Sequence, residues 1–161
     1  MNRLDQVREA VDGVLHGLSD LEGKRCGFIH LYGVSLTATM LAAQRGFDQE
    51  LASIAGMLHD LTSYETGDPT DHAPRSARRA AEILRSLGFF TKAEVEAIAS
   101  AIRHHSDKAS VHGPFEELLK DADVLQHHLY NPECPPHPTH AERSARLARQ
   151  YRLMTSDTSE P

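Results

Sequence analysis

An all-α fold, a single-domain bundle of about six to seven helices, is what this sequence predicts, and three observations predict it. Apolar residues recur at three- and four-residue spacing through one segment after another. Boundary signals bracket those segments: Thr91 to Glu94 and Thr139 to Glu142 read as capping boxes, Gly113-Pro114 as a start, Gly46 and Gly88 as stops. No stretch of useful length alternates apolar and polar residues as a half-buried strand does.

Leu4, Val7, Val11, Val14 and Leu18 place an amphipathic helix over residues 2–18. Its stripe is expected to pack on the core, a homodimer seam being the alternative use. Gly23 to Gly27 reads as a break, and Phe28 to Gln44 as a mostly apolar helix with His30 in its first turn. Phe47 to Leu61 follows, with Phe47, Leu51, Ile54, Ala55 and Leu58 on one face and His59-Asp60 at its C-terminal end. Thr62 to Pro74, holding Gly67, Asp68-Pro69 and Asp71, reads as a loop. Pro74 opens the next helix, whose face is Ala77, Ala80, Ala81, Leu84 and Leu87.

After Thr91 the stripe is Val95, Ile98, Ala99 and Ile102. Continuing that rotation sets His105 beside Ile98 and Ile102 and turns His104 about 100° away. The helix from Pro114 buries Phe115, Leu118, Leu119, Ala122, Leu125 and Leu129; Asp121 and Asp123 flank this stripe on opposite sides, and periodicity does not choose between them. Asn131 to Pro138 is a turn-rich connector, and a last helix runs to about Met154. The domain therefore spans 1–155, with its core at about 28–130 and a disordered tail at 156–161.

Composition narrows the function. A chain of 161 residues suits one domain, and its net charge of −6 argues against a general nucleic-acid binder. No secretory signal follows Met1, and no apolar run approaches the roughly 20 residues of a membrane span. Cys26 and Cys134 lack a C-x-x-C spacing, which fits a reducing cytoplasm. Arg143, Arg146, Arg149 and Arg152 drift around the last helix and read as a solvated face. Eleven histidines point to metal, because neutral imidazole is the commonest transition-metal ligand.

A helix end pressed into a core is a costly place for His59 and Asp60 unless each has a partner. A cation satisfies both. His30, His59-Asp60, His72 and His105, with one aspartate of the Pro114 helix, all lie at helix ends or on the flanks of helix stripes, where several helices can aim them at one centre. Four imidazoles and two carboxylates suffice for one or two divalent transition ions, with Asp60 placed to bridge; Fe, Mn, Ni, Co or Zn suits such mixed N/O donors better than Mg.

The order His30, His59-Asp60 in GMLHDL, His72 in HAPRSA, His105 in AIRHHS and an aspartate in KDADVL resembles the H…HD…H…H…D signature of the HD-domain metal-dependent phosphohydrolases. The resemblance covers roughly Phe28 to Tyr130 and selects Asp123, which follows a small residue and precedes an apolar pair. It implies a one-metal site built on His30, His59, Asp60 and Asp123, to which His72 and His105 add a second. It further implies a phosphoester substrate, a nucleotide or small phosphorylated metabolite, cleaved by a metal-activated water. Asp60 and, as general acid or base, Glu65 are then the catalytic candidates, with Lys108 and Arg75 placed to hold the phosphate. Thr62-Ser63-Tyr64 replaces the acidic pair found in guanosine-polyphosphate hydrolases of the superfamily, and the glycine-tyrosine-proline extension of cyclic-di-guanylate phosphodiesterases is missing. Two rival readings are a di-iron oxygenase on the same ligand set and a non-catalytic metal or nucleotide sensor.

Overall fold

The periodicity of the sequence closes, over residues 2–153 of a computed structural model, into eight α-helices and one 3-10 turn. The helices are α1 (Arg3–Gly17), α2 (Leu21–Arg45), α3 (Gln49–Leu58), α4 (Leu61–Thr66), α5 (His72–Leu87), α6 (Lys92–His104), α7 (Pro114–Tyr130) and α8 (Ala141–Tyr151), with the 3-10 turn at Pro138–His140. The described residues contain no strand. Met154 and the tail 156–161 lie outside them.

α2 is the central rod, packed chiefly against α3 and α7, while α5 and α6 form an adjoining pair. One contiguous apolar cluster joins Val7, Val11 and Leu15 of α1 to Leu31 and Leu41 of α2, Ile54 and Leu58 of α3, Ile98 and Ile102 of α6 and Leu118 of α7. The α1 stripe thus goes into the core of its own chain.

The structure corrects the expected break at Gly23 to Gly27. Asp20 accepts hydrogen bonds from the Glu22 and Gly23 amides and starts α2 at Leu21. Gly27 is helical because it must be small: a Cβ there would lie 2.6 Å from Leu15 Cδ2 and 3.2 Å from Tyr64 Cδ1. Close packing of α1 and α4 offsets the roughly 1 kcal/mol that glycine costs inside a helix. So extended, α2 has the length and mean hydropathy (1.4) of a membrane span, against the sequence expectation. Much of that apolar surface faces α3 and α7, as in the core helix of a globular bundle.

Two other boundaries move. The helix expected over residues 47–61 stops at Leu58, turns at His59 and Asp60 (φ −118°, ψ 14°), and resumes as α4 where a loop was expected. α5 starts at His72, two residues before Pro74, behind an Asp71 held at φ 48°. The Thr91 capping box forms, with Thr91 and Glu94 bonded reciprocally. The one expected at Thr139 does not: Thr139 lies in the 3-10 turn, its amide donating to His137 Nδ1, and α8 begins at Ala141 without a side-chain cap.

Charge pairing separates the two aspartates that periodicity left undecided. Asp121 faces α2 and α8, where Arg45, Arg143 and Arg146 each bond its carboxylate at 2.6–2.8 Å. Arg143 also reaches Glu117 at 2.7 Å. Arg143 and Arg146 therefore dock α8 on α7, which corrects their reading as part of a solvated face. Asp123, two residues on, points the other way.

Candidate metal centre

α2, the α3–α4 junction, the start of α5, the end of α6 and the middle of α7 converge on one spot and deliver His30, His59, Asp60, His72, His105 and Asp123 to it. The structure brings all six together.

The rings are aimed by their Nδ1 atoms. His59 Nδ1 lies 2.7 Å from Gly56 O, His105 Nδ1 2.7 Å from Ile102 O, and His72 Nδ1 3.0 Å from Pro69 O. His30 Nδ1 lies 3.0 Å from Gln126 Oε1. A carbonyl oxygen only accepts, so each Nδ1 carries the hydrogen and each Nε2 turns a bare lone pair toward the centre. The Nε2 atoms of His30 and His59 are 3.1 Å apart. Two lone pairs at that separation repel unless a proton or a metal ion stands between them.

The carboxylates give the same answer. Asp60 Oδ1 and Asp123 Oδ1 are buried and make no hydrogen bond, an expensive arrangement for a carboxylate without a cation. Asp60 Oδ2 is 3.6 Å from both His30 Nε2 and His59 Nε2, and Asp123 Oδ1 is 3.7 and 3.9 Å from the same two nitrogens. Asp60 Oδ1 faces elsewhere, 3.5 Å from His72 Nε2 and 3.2 Å from His105 Nε2. Donor atoms about 2.1 Å from one ion stand roughly 3–3.5 Å apart, so these spacings suit ligands around ions. The residues fit two divalent ions, one at His30, His59 and Asp60, with Asp123 beside the same two imidazoles, and another at Asp60, His72 and His105, with Asp60 common to both.

The surroundings keep His59 and both carboxylates in ligand form. Burial opposes the charge on Asp60, yet His59, His105 and His30 hold its carboxyl well below the usual range. Burial likewise opposes the charge on Asp123, and Lys108 with the neighbouring imidazoles outweighs it, so this carboxyl is also depressed. His59, fully buried, is pushed down to about 3. His30 is pushed down by burial too, but Asp60 and Asp123 raise it by more, and it ends above its ordinary value. A proton and a cation thus compete for the His30 Nε2 lone pair. Ion affinity should fall, by up to about tenfold per pH unit, once pH drops below the raised His30 value. Isothermal titration with Zn(II) from about pH 8 to pH 6, with proton uptake by the buffer measured alongside, checks this.

Lys108 is at the centre in an unexpected posture. Its side chain is 2% exposed, and its Nζ donates to Asp123 Oδ2 at 2.5 Å and to His105 O at 2.6 Å. It holds one Asp123 oxygen and leaves the other facing the imidazoles. Two expected participants are elsewhere. Glu65 is paired through both oxygens with Arg79, at 3.1 and 2.9 Å. Arg75 ties down the loop before His72 through Asp68, Thr70 and Thr66 at 2.9–3.2 Å. These bonds engage Glu65 with Arg79 and Arg75 with residues 66–70, where the sequence suggested an acid or base and a phosphate holder.

Sequence reasoning missed two residues of the site. Gln126 fixes His30 and fits because Gly33 is bare: a Cβ there would come within 2.9 Å of the Gln126 side chain. His127 Nε2 stands 3.5 Å from Asp123 Oδ1. The one available signal was the four-residue step from Asp123 to His127 along a helix. Beyond His127 opens a cavity of about 400 Å³, lined by Val124, His128, Cys134, Pro135, His137 and His140 among others.

The HD-domain family profile matches residues 27–128. The chain is 30% identical to a Bacillus subtilis (strain 168) protein named "Putative phosphohydrolase YueE", over 74% of this chain and 80% of that protein. No solved structure matches it significantly. The profile spans every one of the converging ligands, from His30 to Asp123, and on that footing the chain belongs to the HD-domain phosphohydrolase superfamily and is, in general terms, a metal-dependent hydrolase.

Proposed function

We propose that this protein hydrolyses a phosphoester of a small phosphorylated metabolite or nucleotide at the His/Asp cluster. The observation that carries the reading is the division of Asp60, one oxygen toward His30 and His59 and the other toward His72 and His105. Divalent ions bound by these residues would supply Lewis acidity and lower the pKa of a water toward neutrality. The chain supplies the rest. Asp60 and Asp123 stay ionised and offset the ions' charge. Carbonyl tethers hold the imidazoles so that little reorganisation is needed when substrate arrives. Lys108 orients Asp123, in place of the phosphate-holding role expected for it. The cavity beside His127, walled by histidines and prolines, offers room for the body of the substrate.

The test is elemental analysis of protein purified without chelator, then a panel of phosphomonoesters and phosphodiesters assayed with the recovered metal restored. Turnover of one class that disappears with chelator and returns with the ion is the expected result. Two bound ions with no turnover on the whole panel would refute the hydrolase reading. Iron-dependent oxygen uptake with an organic substrate would move the protein to the oxygenase class.

A further inference from the structure

His127 lies outside the H…HD…H…H…D order, yet it stands against the centre. It sits one helical turn beyond Asp123 on α7, so the two side chains project from the same face. Its Nε2 is 3.5 Å from Asp123 Oδ1, the buried oxygen that no hydrogen bond satisfies. Its ring centroid is 4.9 Å from that of His30. His30, Asp123 and His127 form a donor group of their own, with all three ligand atoms within 4.8 Å of one another. The His127 ring makes no hydrogen bond among the described residues, and its side chain is 64% exposed, on the flank that opens into the cavity.

We propose that His127 is a further protein ligand of the ion held by His30, His59, Asp60 and Asp123. The inference rests on the metal-centre reading above and deepens it, because it makes the two positions unequal. The first position then has five protein donors, and a six-coordinate ion there retains one place for solvent or substrate. The second, with Asp60, His72 and His105, has three and retains three. The first ion is the tightly held one. The second is the exchangeable ion, and the more open place for a phosphoryl oxygen. His127 also stands between the first position and the cavity, so a substrate entering from there meets that position already closed.

Cobalt(II) titration of the full chain tests this, following stoichiometry by dialysis and coordination by visible absorption. His127→Ala should weaken one of the two sites by at least the roughly 10–100-fold that loss of a supporting group costs in metal proteins. It should leave the other site unchanged and alter the absorption of the affected ion, with wild-type helical content by circular dichroism. Millimolar imidazole should restore the wild-type spectrum, a rescue that a merely structural role for His127 would not show. Wild-type affinity and spectrum in His127→Ala, or an altered spectrum that imidazole leaves unmoved, would overturn the proposal. Wild-type protein that binds no cobalt would overturn both this inference and the reading beneath it. Two cobalt ions bound, with no phosphoester cleaved, would sink the hydrolase reading alone and leave His127 as a ligand.

Discussion

Asp60→Asn should lose both ions together and cut phosphoester turnover by more than about 10³-fold, beyond what removal of one transition-state donor costs in other enzymes. The side chain is the one shared by both donor groups, its oxygens directed to different pairs of imidazoles. An amide of the same shape carries no charge and turns an N–H toward one set of bare nitrogens, so neither group stays whole. The helices should persist, because burying a neutral amide costs less than burying a carboxylate. Metal content, turnover and far-ultraviolet circular dichroism on one preparation check all three. Glu65→Gln is the matched control: its partner is Arg79 at the surface, so ion retention should be unchanged and stability altered by no more than about 1 kcal/mol.

Gly56→Ala should damage the site from the scaffold side. A Cβ at this position would lie 2.6 and 2.7 Å from Ser35 Cα and N and 2.9 Å from the Val34 carbonyl carbon. All three are main-chain atoms of α2, and none can rotate away. α3 must then lift off α2, stretching the 2.8 Å bond between Ser35 and Ser53 and shifting the Gly56 carbonyl that aims His59. Overpacking of this kind costs about 3 kcal/mol, which in a chain of this size lowers Tm by roughly 6–12 °C. Ion affinity should fall with it. Gly13→Ala supplies the contrast: nothing lies within 4 Å of a Cβ there, and α1 should gain about 0.5–1 kcal/mol. Thermal melts of the two variants beside the wild type decide the point; equal Tm values would show that the α2–α3 approach has slack.

Much of the fold was legible because the core is sorted by helical period. The faces of α1, α3, α5, α6 and α7 carry most of the buried residues that the spacing marked, whereas Leu129, at the end of the α7 stripe, is exposed. The six side chains that meet in the centre were also within reach, since each is polar at a place where a helix ends or flanks its apolar stripe. What escaped depended on partners distant in sequence. A glycine in a chain can signal a break or a close approach, and only the packed neighbours of Gly27 show that it is the second. Glu65, Arg75 and Arg143 looked available as isolated charges, and each is claimed by residues on another element or loop. Gln126 was invisible for the opposite reason, since its partner His30 counts only once α2 and α7 are seen side by side, whereas His127 showed in the chain only as a four-residue step from Asp123.

Three of the four imidazoles lean on a main-chain oxygen three residues earlier: His59 on Gly56, His72 on Pro69 and His105 on Ile102. Every amino acid brings such an oxygen, so for these rings the aim is indifferent to which residue occupies the supporting position. His30 alone depends on a particular side chain, that of Gln126. Drift in related chains can therefore rewrite positions 69 and 102 without retuning the grip on metal, whereas position 126 is where a single replacement detunes it.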